Sequence, residues 1–128
     1  MLVLAMQAVV AFNLVCTAMQ SQGRLEPSAP DGFRVERERS VTDVYRVDLQ
    51  NMRWCVAECT RTNQIASVSG TEIILDETRH VATGVITTVS VNRETGAYIF
   101  SMHLGRLVDL RIGTCERAAF SGMPTLRF

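Results

Sequence analysis

Apolar and polar residues alternate with a period of two along most of the chain. Tyr45, Val47 and Leu49 fall on one side of an extended segment and Val44, Arg46, Asp48 and Gln50 on the other, as in a half-buried strand. Residues 12–19 set Phe12, Leu14, Cys16 and Ala18 against Asn13, Val15, Thr17 and Met19. Phe33 and Val35 alternate with Arg34 and Glu36. In 71–77, Ile73 and Leu75 oppose Glu72, Ile74 and Asp76. Val85, Thr87, Val89 and Val91 alternate with Ile86, Thr88, Ser90 and Asn92; Tyr98, Phe100, Met102 and Leu104 alternate with Ala97, Ile99, Ser101 and His103. Residues 107–115 make a last strand ending in Cys115.

Turn-forming residues separate these runs. Residues 21–32 are a Pro/Gly/Ser-rich loop, Gln50 to Arg53 a turn, and Asn92 to Gly96 a hairpin loop whose glycine can take a positive φ. The tail from Phe120 should be irregular. No segment carries a sustained 3.6-residue period, although a short helical turn fits near 55–62. The pattern predicts an all-β protein, a single antiparallel β-barrel or sandwich of about six to eight short strands, with residues 12–128 as one domain.

Residues 1–11, MLVLAMQAVVA, are apolar and uncharged. They are too short to span a bilayer, which takes about 20 residues. The length suits the apolar part of a secretory signal peptide, truncated because no basic segment precedes it. Cleavage after Ala11 keeps all four cysteines, Cys16, Cys55, Cys59 and Cys115; cleavage after Ala18 leaves three. An even count in a small exported protein reads as a disulfide framework. In a strand, Cys55 and Cys59 would lie about 13 Å apart, beyond the roughly 7 Å limit for a disulfide. A bond between them therefore needs a turn. Cys16 with Cys115 would then join the first strand to the last, as closing a barrel requires. Four cysteines allow three connectivities, and this pairing is the preferred one.

The chain has 128 residues, 47% of them hydrophobic, and zero formal net charge. All thirteen cationic side chains are arginine, interleaved with acids as in Arg34, Glu36, Arg37, Glu38 and Arg39. That suits a solvated sheet face. A neutral chain has no electrostatic reason to bind nucleic acid or an anionic membrane surface. No nucleic-acid partner and, after processing, no stable membrane insertion are expected.

Candidate chemistry is sparse. A C-x3-C spacing matches neither zinc nor thioredoxin-like motifs. His80 and His103 are isolated and read as surface residues. Asp76 and Glu77, the only acidic doublet, point to opposite faces of a strand and read as a strand end. Ser67, Ser69 and Ser121 lie in no nucleophile-elbow pattern. Trp54 beside Cys55, and the row Tyr98, Phe100, Met102, read as core. No catalytic residue, cofactor or metal ligand is assigned.

The stretches Phe12-Asn-Leu-Val-Cys16, Tyr45-Arg-Val-Asp-Leu49, Arg53-Trp-Cys55, Val91 to Gly96, Gly113-Thr-Cys-Glu116 and Phe120-Ser-Gly-Met-Pro124 resemble a group of small, uncharacterised exported proteins of alphaproteobacteria. That resemblance implies a periplasmic or secreted protein and no particular activity. A fainter likeness, of architecture alone, is to the periplasmic lysozyme-inhibitor barrels. The sequence leads to a non-enzymatic binding or interaction domain of the cell envelope, with an unknown protein or small-molecule partner. The alternative is a small inhibitor of a hydrolase such as lysozyme or a protease.

Overall fold

A computed structural model describes residues 10–124. Residues 1–9, most of the expected signal segment, lie outside the described residues, as do 125–128.

Nine strands form one antiparallel sheet curled into a half-barrel. They are β1 Ala11–Leu25, β2 Phe33–Asp48, β3 Arg53–Val56, β4 Asn63–Gln64, β5 Ser67–Val68, β6 Glu72–Arg79, β7 Val85–Asn92, β8 Ala97–Leu104 and β9 Leu107–Ala118. Six to eight strands were expected. The strands without a counterpart in the alternation are the four-residue β3 and the two-residue β4 and β5, too short to leave a periodic signal. The segments around Phe33 and Tyr45 are one strand, β2, running unbroken through the charged stretch 36–40.

The strand order is β4-β3-β2-β1-β9-β8-β7-β6-β5. The first and last long strands are therefore central neighbours, and not the two ends of the sheet. Its ends are joined by the segment 63–68 instead. Residues 63–64 pair with β3, residues 67–68 pair with β6, and buried Ile65 between them donates its N–H to the Met52 carbonyl at 2.8 Å.

The helical turn expected near 55–62 is absent. After β3 the chain closes a β-turn in which Cys59 N–H donates to the Val56 carbonyl at 2.7 Å. Cys59 takes a φ of 51° there. This turn brings Cys55 and Cys59 to a Cα separation of 5.1 Å, within disulfide reach. The hairpin at 92–96 forms as the sequence indicates, with Gly96 at a φ of 77°.

The concave face holds the core, and the register arranges it in cross-strand rows. Phe12, Val47 and Trp54 form one row, with Leu14 and Tyr45 beside it. Ala18, Gly113, Tyr98, Val91 and Ile73 form another. Trp54 is core, as the sequence predicts, but its ring neighbour is Tyr45, edge-on at a centroid distance of 5.8 Å. Cys55 is buried on the opposite side of β3 from the indole, outside this cluster.

Candidate functional site: a polar waist and two cavities

Beyond the aromatic core, the concave face turns polar. One row is Gln20, Arg111, Phe100, Val89 and Asp76; the next is Gln22, Asp109, Met102 and Thr87. A third row, Leu107, Leu104 and Val85, is apolar again and ends the half-barrel. The half-barrel thus has an aromatic base, a polar waist and an apolar mouth.

The waist is a connected network. Tyr98 Oη donates to Asp43 Oδ2 at 2.8 Å. Tyr45 and Tyr98 hydroxyls are 2.5 Å apart, and since Tyr98 spends its proton on Asp43, Tyr45 is the donor between them. Arg111 Nη1 donates to Asp43 Oδ1 at 2.6 Å, and its guanidinium lies 4.5 Å above the centre of the Phe100 ring. Gln20 and Gln22 amides donate to Asp109 Oδ2 at 2.9 and 3.3 Å. Arg39 Nε donates in turn to Gln20 Oε1 at 2.7 Å. Arg111 Nε and Asp109 Oδ1 form an ion pair at 3.5 Å that does not close into a hydrogen bond, so both atoms are buried without a hydrogen-bond partner.

Burial governs the proton affinities. It pushes the Tyr45 phenol up to about 12, and it raises Tyr98 further, reinforced by the neighbouring Tyr45. For Arg111 burial works against the charged form, but the hydrogen bond and charge of Asp43, and then the charge of Asp109, outweigh it and hold the guanidinium more basic than usual.

A cavity lies on each side of the waist. The one toward the core, about 310 Å³, is lined by Asp43, Tyr45, Trp54, Asp76, Phe100 and Arg111 among others. Asp76 reaches it because of a β-bulge between Ile74 and Asp76. The extra residue reverses the alternation, so buried Leu75 is followed by an Asp76 paired with Val89 on the concave face. The acidic doublet is therefore mid-strand, with Asp76 accepting a hydrogen bond from Thr78 Oγ1 and Glu77 exposed.

The second cavity, about 540 Å³, opens at the mouth. Its wall is Met102, Leu104, Leu107 and Val108, and its floor is Gln22 and Asp109. Leu104 and Leu107 are 46% and 51% exposed, whereas Asp109 is 8% exposed. Met102, expected in the core with Tyr98 and Phe100, stands in this wall.

All four cysteines pair as preferred, Cys16 with Cys115 and Cys55 with Cys59. His80 is exposed beyond β6, and His103 is half-buried with Nε2 2.9 Å from Ser101 Oγ. Among the described residues no group of three or more His, Cys, Asp or Glu is placed to hold a metal ion. Ser121 Oγ accepts from Asn13 Nδ2 at 2.6 Å and ties the tail to β1; Ser67 and Ser69 are exposed.

The waist residues Asp43, Asp109, Arg111, Gln20 and Gln22 are not singled out by the sequence. A signal exists in the parity of the strands: Asp43 shares a face with Tyr45 and Val47, and Asp109 and Arg111 share one with Cys115. Charged residues on a core-facing parity mark a buried polar cluster. No family model, curated protein or solved structure matches the chain.

Proposed function

We propose that the protein is a non-enzymatic binding domain of an oxidising, extracytoplasmic compartment, periplasmic or secreted, and that the mouth cavity is its binding site. The observation that carries this reading is the pairing of an open apolar wall with a buried polar floor. A volume of about 540 Å³ falls within the roughly 300–1,000 Å³ of small-molecule sites. Such sites combine apolar lining with a few placed polar groups, and they favour the mouths of β-barrels. Two disulfides favour an oxidising environment. The non-enzymatic reading draws support from the waist itself, whose groups are hydrogen-bonded to one another and whose phenols are pushed away from neutral pH.

The test is binding of the neutral fluorophore N-phenyl-1-naphthylamine. Its emission should rise and saturate with the folded protein. The exposed pair Leu104→Glu/Leu107→Glu should abolish the rise without altering the circular dichroism. An absent signal, or one unchanged in the double variant, overturns the proposal.

A further inference from the structure

β2 is a sheet edge for most of its length. Its residues 45–48 pair with β3, but among the described residues no strand lies beyond 33–44. The Leu49 N–H donates to the Val10 carbonyl at 2.7 Å. The odd-numbered residues of β2 therefore turn their backbone groups toward β1, as far as the bulge at Gln22 and Gly23. The even-numbered ones turn theirs outward. Glu38, Ser40 and Thr42 thus present N–H and C=O groups to an open edge, and all three residues are exposed. Such an edge is a template for a further strand. Its side chains select which strand. Arg37 and Arg39 stand two residues apart on the concave side, Arg37 at the mouth cavity and Arg39 against Gln20. Among the described residues neither meets a carboxylate, whereas Arg34 is paired with Glu26 at 3.7 Å and Glu36 with Arg24 at 3.2 Å. Both Arg37 and Arg39 turn their backbone groups away from the edge. An added antiparallel strand meets them as non-hydrogen-bonded pairs, the closer kind, with Cα atoms about 4.5 Å apart. Opposite charges at such positions stabilise pairing and like charges oppose it. A second copy of β2 is therefore disfavoured: two-fold pairing centred on Arg37, Glu38 or Arg39 sets that residue against its own kind.

We infer that the free edge of β2 receives an extended segment of another protein as an added strand, antiparallel like every other pair in the sheet. Acidic residues at alternate positions of that segment face Arg37 and Arg39, and a basic residue between them faces Glu38. Its backbone bonds to Glu38, Ser40 and Thr42. This is a second interaction, made by a strand edge and not by the apolar wall of the mouth cavity, so it stands or falls apart from small-molecule binding there.

The experiment is fluorescence anisotropy of a capped, labelled peptide, Thr-Val-Thr-Glu-Lys-Glu-Val-Thr, titrated with the full chain at low ionic strength. The charge-inverted peptide Thr-Val-Thr-Lys-Glu-Lys-Val-Thr is the comparison. The glutamate peptide should bind at least tenfold more tightly, and Arg37→Glu/Arg39→Glu should reverse the order. Methylating the backbone nitrogen of its lysine, which faces Glu38 in the added strand, should abolish binding. Methylating those of its glutamates, which point away, should weaken binding threefold or less. No saturable binding, equal binding of the two peptides, an order that survives the double variant, or the same response to both methylation patterns each overturns the inference. Should the double variant not fold, the methylated peptides decide on the wild-type chain. Ser40→Pro removes an outward N–H at an edge position where proline is tolerated. A wild-type chain that sediments as a dimer and becomes a monomer in Ser40→Pro assigns the edge to a second copy and likewise overturns the inference.

Discussion

Cys16 and Cys115 face each other directly across the middle of the sheet, on β1 and β9, with Cα atoms 3.9 Å apart. The bond therefore pins the two central strands together, and the half-barrel's ends are bridged by the backbone of residues 63–68 and not by a disulfide. Its sequence separation is 99 residues, against 4 for Cys55–Cys59. In the chain-entropy account the long loop is worth about 4–5 kcal/mol and the short one about 2 kcal/mol. Cys16→Ala/Cys115→Ala should lower the unfolding free energy by about twice as much as Cys55→Ala/Cys59→Ala. Urea denaturation of both double variants checks the order. Equal losses would show that the central strands hold without the bond.

Among the described residues Arg111 is the single cation that serves both Asp43 and Asp109, and its side chain is 21% exposed. Arg111→Leu leaves two partly buried carboxylates without their counter-ion. Breaking a buried ion pair from one side costs about 3–5 kcal/mol, and partial exposure places this one near the lower figure. Arg111→Leu combined with Asp43→Asn and Asp109→Asn should recover part of that loss, because no uncompensated charge remains. Urea midpoints of the single and triple variants measure the recovery. A triple variant as unstable as the sum of its parts would mean the network is not electrostatically coupled.

The regular strands are legible in the sequence, and the waist shows why the rest is not. Alternation locates β7 and β8 and the hairpin between them, because each strand sets apolar against polar positions around a glycine turn. It divides β2 in two because 36–40 holds no apolar residue, yet β1 continues the ladder past it and backbone pairing needs no apolar side chain. It misplaces Asp76 because one bulged residue reverses every face beyond it. Pairing between Asp43 and Arg111, 68 residues apart, depends on strand order, which local pattern does not encode. Strand order is also why the Cys16–Cys115 bond is predicted correctly while its place in the sheet is not.

The chain has two tyrosines; both rings lie in the core and both hydroxyls reach the waist. Burial raises each phenol's pKa above its ordinary value, Tyr45 to about 12 and Tyr98 in the same direction. A raised folded-state pKa means that the folded protein holds its proton longer than the unfolded chain. The stabilisation is fully present below pH about 10, the unfolded value, and is lost as the pH climbs through the folded one. From Tyr45 the loss reaches about 2 kcal/mol by pH 12, and Tyr98 adds to it. Absorbance at 295 nm should therefore stay near its neutral-pH level at pH 10.5 while the protein is folded, then rise together with the loss of circular dichroism. A smooth phenolate titration centred near pH 10 in the folded protein would contradict the buried pair.

Gly113 on β9 sits opposite Ala18 of β1. A Cβ there would lie 1.9 Å from the Thr17 carbonyl oxygen and 2.6 Å from Ala18 Cα. Both are backbone atoms of the strand that carries Cys16, so no side chain can swing aside to relieve the overlap. Gly113→Ala must push β1 from β9, opening the row that holds Tyr98 and straining the adjacent disulfide ladder. A loss of about 3 kcal/mol or more is expected, in the range reached only by strain or cavity formation in a core. Gly84 is the control: it has a φ of 73° and open space around its Cα. Gly84→Ala bears only the cost of a left-handed alanine, about 1–2 kcal/mol. Thermal unfolding of the two variants should therefore separate them clearly, with Gly113→Ala the lower. A Gly113→Ala protein that melts with wild-type would mean that β1 and β9 are not in such close contact at this row.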